Sequence, residues 1–138
     1  LHTNTASSAV DRVVDQFPAD RQAQIRTMLS ETLKGVVAQT LLKKKGGGRA
    51  AAFEILLVTS SVSNLIREGK TYQLPSVMQT GRKYGMRTLN DHLFELVEQG
   101  AVDSQEAYFK SVDKASFLSV LRTNGYDTRE FEGRDEFG

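Results

Sequence analysis

The 138-residue sequence contains no cysteine, which excludes a disulfide framework and any thiolate-held metal. Histidine is nearly absent too. His2 and His92 are the only two and stand far apart, so a histidine-based zinc site is not expected. An excess of one charge sign is also missing. The net charge is +1, which argues against wholesale electrostatic binding of nucleic acid. No apolar run approaches the roughly 18 residues of a membrane span, and no signal peptide precedes the first helical pattern. Direct membrane insertion is therefore not expected, and cytoplasm is the default location. The chain opens on Leu1 rather than methionine and reads as a piece of something longer. What is present is ordinary for a globular chain, with 39% apolar and 25% charged residues. The length suits one domain or part of one.

The stretch 61–70, SVSNLIREGK, has the most informative pattern. Val62, Leu65 and Ile66 fall at i, i+3 and i+4, which predicts a short helix with one apolar stripe. Ser60 or Ser61 can cap its start, and Gly69 can stop it. Arg67 and Glu68 then share the last turn. A glutamate there sits at the wrong end of the helix dipole, which favours cations at the C-terminus. Helix stability does not explain Glu68; a partner would. The plainer reading is a solvated helix end.

The remaining pattern is α/β but mainly α. Leu1-His2-Thr3 reads as the end of a strand. Val10, Val13, Val14 and Phe17 mark a first helix, and Pro18 ends it or opens a second. The second runs to about residue 34 and presents Ile25, Met28, Leu29 and Leu33 as its buried face. Val36 to Leu42 has strand character, and Lys43-Lys44-Lys45-Gly46-Gly47-Gly48 is a turn. The segment 49–58, RAAAFEILLV, is nearly continuous in apolar residues and is expected to be covered on both faces. The two strands form a hairpin. Helices follow from about Leu74-Pro75, from Thr88 and from Asp103. The last two starts resemble capping boxes, with Asp91 in the second place of the first. Asp113 caps a last helix. Three regions are expected: 1–58, 59–124 as a helical bundle, and 125–138 as a flexible charged tail.

Few motifs carry chemistry. Gly69-Lys70-Thr71 imitates the end of a phosphate-binding loop, but that loop needs a glycine where Asn64 stands and a strand before it, where a helix is predicted. His2, at a strand end just before a helix, is placed to meet an anion, and an ordinary surface histidine is the competing reading. His92 lies beside an apolar stripe and reads as structural. The Lys43–Arg49 tip suits contact with phosphate or an acidic partner, or is a soluble turn that blunts a sheet edge.

Taken together, LHTNTASSAVDRVVDQFP, QIRTMLSETLKGVVAQTLLKKKGGGR, NLIREGK and MQTGRKYGMRTL resemble the C-terminal half of the PilT family, the ATPases that retract type IV pili. The resemblance runs from Leu1 to about Val102. It implies the end of a RecA-like core (a strand remnant, two helices and a hairpin) followed by a C-terminal helical bundle. It implies that His2, with Thr3 beside it, closes a His box and helps sense the γ-phosphate. The family's A-I-R-N-L-I-R-E signature, tied there to retraction, falls on Ser61-Val62-Ser63-Asn64-Leu65-Ile66-Arg67-Glu68, with Ser63 replacing its first arginine. In the family the phosphate-binding loop and the Walker B strand precede the matched part. ATP and magnesium are thus implied for the full-length protein, while this chain alone is expected to bind neither and to be inactive. A homohexamer and an inner-membrane pilus platform protein are the implied partners, in the cytoplasm at the base of the pilus machine. A secretion or pilus-assembly ATPase of the same superfamily is the nearest alternative. The tetracysteine zinc site expected of that branch is missing, since KKKGGGR occupies its place. A nucleic-acid-binding module built on the lysine-rich tip is the more distant alternative.

Overall fold

The computed structural model describes residues 5–133. The predicted strand remnant at Leu1-His2-Thr3 lies outside the described residues. Among the described residues, seven helices and one antiparallel hairpin divide into two compact units: Leu1–Gln39 with Phe53–Thr88, and Thr40–Ala52 with Leu89–Gly138. The expected boundary near residue 58 is not where the packing divides. The hairpin strands are nine residues each, so their base belongs to the first unit and their tip to the second.

In the first unit, α1 (Ala6–Asp15) buries Ala6, Val10 and Val14, a line at i, i+4 and i+8. Val13 and Phe17, expected on the buried face, are exposed. Two groups satisfy donors that a helix start leaves open. The Thr5 hydroxyl accepts the Ser8 N–H at 3.2 Å, and the buried Glu54 carboxylate accepts the Ala6 N–H at 2.7 Å. A carboxylate suits that end of the dipole. Helix α2 (Ala19–Thr32) also departs from expectation. Met28 is exposed, Ile25, Leu29 and Leu33 are half-buried, and Ser30 is the buried residue.

Strands β1 (Gly35–Lys43) and β2 (Arg49–Leu57) alternate in burial. Ala38, Thr40 and Leu42 are buried from one strand, and Ala52, Glu54 and Leu56 from the other. Cover on both faces of β2 was expected. Instead Phe53 and Ile55 are half-buried, and Val37 and Leu41 of β1 face solvent. Gly46, Gly47 and Gly48 all take positive φ, which is the conformation the tight tip requires. Helices α3 (Ser60–Arg67) and α4 (Leu74–Thr80) complete this unit, with single 3-10 turns at Thr71–Gln73 and Arg82–Tyr84. Val62, Ile66, Leu74, Met78 and Met86 join Leu56 and Val10 in its core.

The second unit packs α5 (Leu89–Glu98), α6 (Ser104–Lys110) and α7 (Lys114–Thr123) around Leu42, Leu93, Val102, Phe117 and Leu121. The predicted α5 face, Leu89, Leu93, Leu96 and Val97, is buried throughout. The predicted box at α6 does not close. Asp103 makes no capping hydrogen bond, and Glu106 instead accepts the Lys43 N–H at 2.8 Å. Asp113 does cap α7. It adopts φ 46° and accepts the Ser116 N–H at 3.4 Å and the Ser116 hydroxyl at 2.6 Å.

Lys114 ends α6 in an unusual way. Its ammonium donates to the carbonyls of Tyr108, Phe109 and Ser111 at 3.0, 2.9 and 2.9 Å. These are carbonyls a helix end leaves open, and the charge suits the negative end of the dipole. Lys114→Met keeps the length and removes the donors. It is expected to lower stability by about 1.5–3 kcal/mol, read from the urea midpoint of the purified chain; an unchanged midpoint would make the cap incidental.

The tail was expected to be mobile, but its described part is packed. Thr128 and Phe131 are buried, and Phe131 sits 5.3 Å from the Tyr108 ring and 6.5 Å from that of Phe109. Arg122 bonds both Thr128 and Glu132, and the Gly133 N–H donates to the Tyr108 hydroxyl at 3.2 Å.

Candidate functional site

Helix α3 holds the residues singled out from the sequence. Thr59, not Ser60 or Ser61, caps it, accepting the Val62 N–H at 3.4 Å. Its C-terminus closes as a Schellman motif. The Lys70 N–H bonds the Leu65 carbonyl at 2.8 Å, and the Gly69 N–H bonds the Ile66 carbonyl at 3.2 Å. Gly69 takes φ +73°, and an added Cβ would also approach the Arg26 Nε to 3.3 Å. The stop is therefore set by this glycine.

Val62 and Ile66 are buried at 0% and 1% exposure, while Leu65 is only half-buried. The helix is anchored by Val62 and Ile66, and by Ser63. The Ser63 hydroxyl donates to the Ser30 carbonyl at 2.6 Å. That carbonyl belongs to the last turn of α2 and has lost its helical partner.

Asn64, Arg67 and Glu68 point away from the core and are exposed. The Arg67 guanidinium lies back along its own helix. Nη1 donates to Asn64 Oδ1 at 2.8 Å, and Nη2 approaches Ser63 Oγ at 3.5 Å. Glu68 pairs with Lys70 at 3.7 Å, both about half-exposed. Such a pair contributes little to stability. Beside Arg67 an open cleft of about 300 Å³ runs between the end of α2 and one face of α3, from Ser60 to Arg67. Its α2 side carries Glu31 and Lys34, which sequence reasoning did not single out. Neither lies on an apolar stripe, and nothing within the segment QIRTMLSETLKGVVAQTLLKKKGGGR set them apart from its other charges.

His2 and Thr3 lie outside the described residues. Gly69-Lys70-Thr71 follows a helix, and the Thr71 hydroxyl donates to Asp11 at 2.7 Å. This segment therefore is not a phosphate cradle. Among them no group of three or more acidic or histidine side chains is gathered to hold a metal ion, and no helix is long and apolar enough to cross a membrane. The lysine-rich tip meets acids: Lys45 pairs with Asp103 at 3.7 Å, beside the Lys43–Glu106 bond.

No family model matches the chain. Individual relatives do. It is 50% identical over 111 residues to the type IV pilus retraction ATPase PilT of Pseudomonas aeruginosa, across 80% of this chain and 32% of that protein. The chain belongs to the PilT family. It matches the C-terminal part of PilT proteins. A twitching motility protein of Neisseria gonorrhoeae is 48% identical over 108 residues, covering 78% of this chain and 29% of its own length. The chain thus spans about a third of the length of the curated relatives it matches. A crystal structure of the pilus retraction motor PilT with bound ADP superposes with a TM-score of 0.72 at 41% identity, over 84% of this chain and 32% of that one. The fold is that of the PilT C-terminal part, the end of a RecA-like core followed by helices.

Proposed function

We propose that this chain is the C-terminal portion of a hexameric, ATP-driven motor that powers type IV pilus retraction and twitching motility. The observation that carries the reading is 50% identity to a pilus retraction ATPase across 80% of the chain. The exposed Arg67–Glu68 pair supports it, because α3 needs neither residue to fold. In the complete protein, ATP and magnesium are held mainly by the two thirds outside the match, and ATP hydrolysis supplies the energy. The motor works in the cytoplasm at the inner-membrane base of the pilus machine. The helices after β2 pass motion from neighbouring subunits to the membrane platform protein, with α3 as the coupling element. Neither nucleic acid nor direct membrane insertion has a part in this reading.

His2 is proposed as the γ-phosphate sensor, with Thr3 beside it. The basis is its position at a predicted strand end and the His-box resemblance. In the complete protein, His2→Ala is expected to slow hydrolysis more than it weakens ATP binding, because a sensor acts on charge that develops in the transition state. Turnover and nucleotide affinity measured on one preparation test this. Equal loss of ATP and ADP affinity at normal turnover would reject the sensor role.

A further inference from the structure

The cleft beside α3 contains charges that the fold leaves unused. Among the described residues, no carboxylate lies within salt-bridge distance of Arg67, and Lys34 and Glu31 also lack ion-pair partners. All three line the same cleft. We propose that this cleft binds a single carboxylate side chain, an aspartate or glutamate presented by a protein, with Arg67 as the fork and Lys34 as the second cation.

The geometry of Arg67 carries the proposal. A guanidinium has five N–H donors in one plane. Asn64 Oδ1 and Ser63 Oγ take two of them and fix that plane along α3. The Ser63 proton is committed to the Ser30 carbonyl, so Ser63 faces Arg67 as an acceptor. The remaining donors are oriented before any ligand arrives, and binding then costs less side-chain entropy. A forked donor matches a carboxylate with two parallel hydrogen bonds. The charge balance selects the ligand class. Arg67 and Lys34 against Glu31 leave one positive charge, which one carboxylate neutralises. A phosphate dianion would exceed that balance and meet Glu31. A volume of about 300 Å³ suits a side chain. The site gives the coupling role of Arg67 a partner chemistry and rests on that reading for its use in the motor.

Side-chain and amide NMR of the 15N-labelled chain at low salt tests it, with triglutamate and triglutamine, both N-acetylated and C-terminally amidated, and inorganic phosphate as probes. Triglutamate is expected to move the Arg67 Nε–Hε and Ser60 amide signals saturably, and triglutamine to leave them in place. Arg67→Lys should weaken triglutamate binding about tenfold, because a point charge replaces the fork, and Arg67→Gln should abolish it. The other amides should hold their positions, since Arg67 is exposed. No saturable shift, or tighter binding of phosphate than of triglutamate, would overturn the proposal. Dilution of the chain alone identifies the source of the carboxylate. A moving Arg67 signal means a second copy supplies it, and a constant one means another protein does. If Arg67→Gln stops twitching in the complete protein while triglutamate never binds, the cleft is wrong and the motor reading stands. If triglutamate binds but Arg67→Gln leaves motility normal, the coupling role is wrong.

Discussion

Replacing Arg67 and Glu68 together with alanine is expected to leave the fold nearly intact and to abolish retraction by the complete protein. The stability half follows from the observed geometry. Both side chains are exposed, and their bonds run to Asn64, Ser63 and Lys70 on the surface of the same turn. Alanine is the best helix former, and losing Glu68 removes an acid from the wrong end of the dipole. The net change should stay within about 1 kcal/mol. Ile66→Ala is the contrast. Ile66 is 1% exposed in the core of the first unit, and its truncation should cost about 2–5 kcal/mol. Leu65, which the sequence pattern suggests as the contrast, is only half-buried and would cost less. Melting of this chain checks the first half, and twitching with ATPase rate in the complete protein checks the second. A large fall in melting temperature for the double variant would make the pair structural. Normal motility would mean that coupling does not pass through α3.

Phe131→Ala is expected to destabilise the chain by about 3–5 kcal/mol. Its ring is 4% exposed and packs with Tyr108 and Phe109, so truncation leaves a cavity in the second unit. If the segment were a free tail, the cost would be within about 0.5 kcal/mol. Urea unfolding followed by far-ultraviolet circular dichroism separates the two outcomes.

The docking of this segment should also respond to acid. Hydrogen bonds from Arg122 first and Thr128 next hold the Glu132 carboxyl below its ordinary value of 4.5. A lowered folded-state value stabilises above the unfolded one, and the contribution is lost as pH falls through the folded value. The Gly133 amide should therefore lose protection below pH 4.5 in the native sequence. In Glu132→Gln that loss should be absent; identical acid profiles would remove Glu132 from the docking.

The α5 stripe was legible because four leucine and valine positions repeat at helical spacing and every one has a partner in the same unit. The short α3 was legible for a different reason: Gly69 marks its end, and only glycine takes the required φ easily. Helices α1 and α2 were read less well. Their apolar residues outnumber the partners the described residues provide, so Val13, Phe17 and Met28 stay exposed and Ser30 takes the contact. Glu54 was hidden inside an apolar strand, although a lone acid in such a run is itself a signal that a donor must be nearby. The described part of the tail, to Gly133, is packed where its composition suggests mobility. Its charges suggested disorder, yet one buried phenylalanine and the Arg122 network fold it back. In the site, the sequence identified α3 and its charged pair but not Glu31 and Lys34, which reach the cleft because the end of α2 packs beside α3.

The most direct test of the motor reading is the twitching zone of a Pseudomonas aeruginosa strain whose own PilT carries this chain in place of its matching part. The account predicts twitching restored to a large fraction of the unmodified strain, and its loss when Arg67 and Glu68 of the inserted chain become alanine. A chimera that assembles and hydrolyses ATP at the normal rate, yet never twitches, would contradict it.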